Sequence, residues 1–124
     1  METLLYAASF FAFAIGVIHS VLGERYILVR LIRRDNLPRL FGGTEFTART
    51  LRFAWHVTTI AWWGFAAILI LLARQSFTLQ NLSFILALTF LVTGAMTLII
   101  SRGRHLAWIV FLFIGCVCLY AAIS

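Results

Sequence analysis

The chain has 124 residues, 63% of them hydrophobic and 11% charged, and a formal net charge of +6. Its mean hydropathy is +1.02. A soluble domain is roughly half apolar and a quarter charged, so this composition excludes an ordinary soluble fold and points to a membrane protein. The positive charge comes from ten arginines and no lysine. They cluster between apolar runs, which argues for lipid headgroups rather than nucleic acid as their partner.

The first apolar run covers residues 3–22. It has no basic stretch before it and is longer than a signal-peptide core, so it is expected to remain as a span. "RYILVRLIRR" then extends the helical pattern, with Arg30, Arg33 and Arg34 on one side and Leu28, Leu31 and Ile32 roughly opposite. Such a segment suits the membrane surface. "DNLPRLFGG" breaks it, because Pro38 lacks a donor and Gly42 and Gly43 accept turn geometry. Thr44 is a candidate helix cap, and Glu45 suits the first turn of a second helix.

A second span is expected at 51–73, a third at 82–101 and a fourth at 105–123, each near the ~20 residues a bilayer requires. "RQSFTLQN" and "SRGRH" are short connections and imply hairpins between neighbours. The runs lack the alternation of membrane barrel strands. The expected fold is therefore all-α: one domain, residues 1–124, forming a four-transmembrane-helix up-down bundle with an interfacial segment between helices one and two.

Seven arginines (25, 30, 33, 34, 39, 49 and 52) lie in or beside the first connection, two (102 and 104) in the third and only Arg74 in the second. The positive-inside rule then puts connections one and three in the cytoplasm and both termini on the opposite side. Two stripes recur every four residues: Ala8, Ala12, Gly16 and Ser20, and Thr89, Thr93, Thr97 and Ser101. They suit close helix packing, the alternative being a polar track. Cys116 and Cys118 are two apart and do not face each other on a helix. They read as buried packing residues rather than a disulfide.

This topology gives the three histidines a common side. His19 lies one turn from the end of span one, His56 slightly deeper in span two, and His105 at the start of span four. Glu24 is near the same boundary. Arg52 and His56 are four apart and share a face with Thr59 and Trp63. If that face turns inward, Arg52 can pair with Glu24 and position His19 and His56. Intramembrane ionisable groups are functional candidates by default, so His19, Glu24, Arg52, His56 and His105 form the expected ligand-binding or polar cluster. The competing structural reading has the histidines bonding carbonyls or water, and Trp55, Trp62, Trp63 and Trp108 marking the boundary.

Imidazoles also ligate zinc, copper or haem iron, which makes His19, His56 and His105 candidate metal ligands. No HExxH, CxxC or paired histidine motif singles out a metal or haem cofactor, and no nucleophilic triad suggests an enzyme. "HSVLGER" followed by "LRFAWHVTTIAWWG" resembles small, uncharacterised bacterial integral membrane proteins of four helices. That resemblance implies a bacterial inner-membrane setting and no particular activity. The expected function is a membrane binding or structural module. Its alternatives are a metal- or haem-binding redox protein and an oligomeric channel or transporter subunit. The expected partners are the bilayer, its anionic headgroups, and a second copy or another membrane protein.

Overall fold

A computed structural model describes all residues, 1–124. The fold is all-helical, in the order α1 (Glu2–Leu22), a π-helical segment (Gly23–Leu28), α2 (Val29–Ile32), α3 (Glu45–Ala73), α4 (Leu79–Ser101) and α5 (Ala107–Ile123). The first three run on without interruption, so one helix extends from Glu2 to Ile32. That helix, α3 and α4 are each long and apolar enough to cross a membrane. Helix α5 is apolar but has 17 residues, or about 25 Å at 1.5 Å per residue.

The bundle is open. Extensive packing runs between sequence neighbours: α1 on α3, α3 on α4, and α4 on α5. Short hairpins enforce this order. Gln75 and Arg102 both adopt positive φ, 51° in each case, and the chain reverses directly after them. Gly103 then donates its N–H to the Leu98 carbonyl at 3.0 Å, satisfying one of the groups a helix end leaves orphaned. Thr78 caps α4 by accepting from the Asn81 N–H at 3.1 Å.

The arginine-rich segment continues the first helix through α2, with Arg30, Arg33 and Arg34 exposed and Leu28 buried in and around it. The following loop closes on a tight turn in which Leu40 and Gly43 exchange backbone hydrogen bonds. Both central residues, Phe41 and Gly42, have positive φ, as a type I′ turn requires. Glycine was the expected source of this geometry, yet Phe41 also adopts it. Thr44 precedes α3 as expected but makes no side-chain cap. Thr47 instead ties the helix to the loop by donating to the Pro38 carbonyl at 2.8 Å.

Two details differ from the sequence reading. Ser9 rather than Ala8 lies in the α1 interface, while Gly16 of the same stripe is buried as expected. Cys116 is exposed rather than buried, and neither cysteine is bonded, because α5 presents Gly115 and Ala122 to the interior instead. The α4 hydroxyls of Thr89, Thr93 and Thr97 donate to the carbonyls four residues earlier, at 2.7–2.8 Å. They are satisfied within their own helix and link into no transverse track.

Candidate functional site

The arginine-rich end of the α1–α3 interface holds a connected polar cluster. It exists because the π-helical segment inserts extra backbone where α1 reaches the mouth of the interface. Glu24 is the second residue of that segment. Its carboxylate meets two donors presented by α3 at positions i and i+4, Arg52 and His56. Arg52 Nη2 lies 2.9 Å from Glu24 Oε1, and Arg52 Nε donates to Oε2 at 3.3 Å. His56 Nε2 lies 3.2 Å from the same Oε2. Side-chain exposures of 35% for Glu24, 40% for Arg52 and 21% for His56 place the triad at the edge of the packed region.

From His56 the hydrogen bonds continue inward. Its Nδ1 lies 2.8 Å from Ser20 Oγ, and Ser20 Oγ lies 2.8 Å from Thr59 Oγ1. Thr59 donates to the Gly16 carbonyl at 3.3 Å. The path ends there, at a backbone acceptor.

The rest of the interface follows the same antiparallel register. Trp55, Thr59 and Trp63 project from α3 at intervals of four and donate to the carbonyls of His19, Gly16 and Phe13 on α1, at 3.1, 3.3 and 3.2 Å. Ser9 closes the series by donating to the Ala66 carbonyl at 2.9 Å. The two helices can approach this closely because α1 carries glycine opposite the indoles. A Cβ at Gly23 would lie 2.1 Å from Trp55 Nε1, and one at Gly16 would lie 2.7 Å from Trp63 Nε1.

The three histidines do not converge. His19 stacks on Trp55 with ring centroids 4.5 Å apart and meets Trp62 edge-on at 5.0 Å. Its Nε2 lies 3.0 Å from Thr58 Oγ1. It is thus bound to the same helix as His56 but turned to the outer side. His105 lies between Phe46 and Phe53, with centroids at 5.9 and 4.9 Å. Its Nδ1 accepts the Ala107 N–H at 3.3 Å, which caps the start of α5. A common end of the bundle was legible in the sequence, but the direction each ring takes depends on its own aromatic neighbours. No three His, Cys, Asp or Glu side chains form a group able to hold a metal ion.

The sequence reading placed Ser20 in the small-residue stripe without pairing it with His56, and it missed the tryptophans as donors. Trp55, Trp63 and Trp108 each use the indole N–H on a backbone carbonyl, the last on Gly103 at 3.3 Å. The four-residue spacing of Trp55, Thr59 and Trp63 was the available signal, obscured because tryptophan is also the residue of membrane boundaries. Comparison with protein-family models, with curated proteins and with solved structures finds no match for this chain.

Proposed function

We infer that the protein is a small integral membrane module, structural or ligand-binding, whose polar clasp joins the first helix to the second at the cytoplasmic boundary. The arginine distribution supports that orientation, with both termini periplasmic, and the resemblance noted above supports a bacterial inner membrane. The observation that carries the reading is the carboxylate of Glu24, held at once by Arg52 and His56. In a low-dielectric setting an unpaired carboxylate is costly, and pairing with two donors offsets that cost. The triad is nevertheless part-exposed, so its outer edge remains open to a polar ligand or partner.

The metal or haem reading is less well supported. Both ring nitrogens of His56 are engaged, and His19 and His105 turn elsewhere. A transporter or channel reading lacks a polar path, since the inward chain stops at the Gly16 carbonyl, Thr89, Thr93 and Thr97 bond to their own helix, and the buried Ser101 hydroxyl bonds to no other side chain.

Purification without chelator, from cells supplied with haem, separates these classes. Colourless and metal-free protein is the expected result. A Soret band or stoichiometric metal that disappears in His56→Ala would overturn the module reading. Orientation is checked by single cysteines at Asn36 and Ser76 in a Cys116→Ser/Cys118→Ser background. A membrane-impermeant thiol reagent applied to intact cells should label position 76 and spare position 36, and the reverse pattern would invert the topology.

A further inference from the structure

The outer side of the α1–α3 pair carries a groove of about 500 Å³ that the clasp does not use. Its walls are Ile15, Ile18 and Leu22 from α1, Tyr26 and Ile27 from the π-helical segment, and Trp55 and Trp62 from α3. The volume lies within the ~300–1,000 Å³ usual for small-molecule sites. His19 and Gly23 form the floor between them. The floor is built rather than incidental. His19 is fixed flat against Trp55, Trp55 is fixed to the His19 carbonyl, and Gly23 leaves no side chain in the way.

The geometry points to this groove as a binding site for one anionic phospholipid, with an acyl chain in the slot and the phosphate at Arg25. Length, polarity and charge carry the assignment. From Ile15 to Ile27 the groove follows twelve residues of helix, about 18 Å at 1.5 Å per residue. One leaflet of hydrocarbon is about 15 Å deep, half of a ~30 Å core. The Ile15 end is wholly apolar. The other end has Tyr26, 48% exposed, with the Arg25 guanidinium carbon 5.5 Å from its ring centroid.

The guanidinium of Arg25 rests over the Tyr26 ring and takes part in no ion pair. The ion pairs of this protein use Arg49, Arg52 and Arg104. A phosphate is the natural acceptor for a free guanidinium, and the tyrosine hydroxyl supplies a second donor at the same level. The walls of this groove, like those of three others beside Phe84, beside Phe90 and beside Tyr6, carry no charged residue. Arg25 adjoins this one from outside the slot, over the ring of Tyr26 at its end.

This site rests on the reading that the helices span a bilayer, but not on the clasp. The whole protein is reconstituted in vesicles of equal parts phosphatidylglycerol and phosphatidylcholine, extracted into mild detergent, and examined by native mass spectrometry for retained lipid. One phosphatidylglycerol per chain is expected, enriched severalfold over phosphatidylcholine. Arg25→Gln should remove the enrichment. Ile18→Trp, which fills the slot, should remove the bound lipid altogether. Arg74→Gln, at the opposite end of the molecule, should leave both unchanged. Equal retention of the two lipids, or an equal loss in Arg74→Gln, would overturn the site while leaving membrane insertion intact. Protein that never enters the vesicles would instead overturn the membrane reading itself.

Discussion

The α1–α3 and α4–α5 interfaces hold apolar helices together by opposite means. Between α1 and α3 the contact is laced with side-chain hydrogen bonds along its length, from Ser9–Ala66 at one end to Glu24–Arg52 at the other. Between α4 and α5 the closest approach is made by carbon. Gly94 receives Leu112, and Gly115 receives Leu91, so each helix provides one hole and one knob. A Cβ at either glycine would come within 2.7 Å of the opposing leucine side chain and 3.0 Å of its backbone nitrogen. The hydroxyls of α4 take no part across this interface.

The contrast shows what each chemistry suits. In the bilayer setting proposed above there is little hydrophobic force between helices, so association relies on close packing or on interhelical hydrogen bonds. The dry interface joins a short hairpin, where the 102–106 connection already keeps the helices adjacent. The polar interface joins helices separated by the long loop of residues 33–44. Register there has to be specified by directional contacts, and hydrogen bonds are directional where methyl contacts are not.

Overpacking either interface at its glycines should do the most damage. Gly115→Val is expected to lower stability in detergent by about 1–3 kcal/mol, the usual cost of extra volume in a filled site. The opposing Leu91 backbone cannot yield as a side-chain tip can. A thermal or denaturant midpoint unchanged from the natural chain would remove the knob-and-hole account.

Gly23→Val tests the polar interface in the same way. It should cost about as much, about 1–3 kcal/mol by the same overpacking rule. It should also change the near-ultraviolet signal of Trp55, since the indole must leave both His19 and its carbonyl partner. If stability falls without that spectral change, the stacking of His19 on Trp55 is not what the glycine protects.

Removing the central acceptor is expected to have a smaller effect. Glu24→Ala leaves Arg52 and His56 without their shared partner, at about 1 kcal/mol for half-exposed groups. A Glu24→Gln/Arg52→Gln double-mutant cycle should give a coupling of about 0.5 kcal/mol that shrinks with added salt. A coupling of zero would reduce the clasp to proximity.

The smallest effects should separate the two kinds of hydroxyl. Ser9→Ala removes an interhelical hydrogen bond and should cost about 0.6 kcal/mol, the average for such bonds in a membrane protein. Thr93→Val removes only a bond to a carbonyl of its own helix, one that already belongs to the helical ladder, and should cost less than Ser9→Ala. Equal losses in unfolding free energy would mean that the α4 hydroxyls contribute across an interface after all.

Much of this arrangement was legible in the chain. Arg52, His56, Thr59 and Trp63 read as one face because helical periodicity is local, and Glu24 was the nearest carboxylate to complete it. The same reasoning misplaced His105, since nothing local says that Phe46 and Phe53 will take its ring. It also put Ala8 rather than Ser9 on the inward face of α1, although Gly16 and Ser20 of the same stripe do face in. Ala8 and Ser9 are both small, and only the partner helix decides which of them faces in.

The sequence by itself determined that the chain is helical, how many helices it forms and which end is arginine-rich. Hydropathy and spacing are properties of neighbours along the backbone, and they act before any helix meets another. Only the tertiary structure decided that the bundle is open, that a π-helical segment aims Glu24 at α3, and that His19 and His56 leave the same pair of helices on different sides. Those outcomes depend on rotations of whole helices by fractions of a turn. Such rotations are set by which glycine lies opposite which tryptophan, a pairing across 32 positions in the case of Gly23 and Trp55.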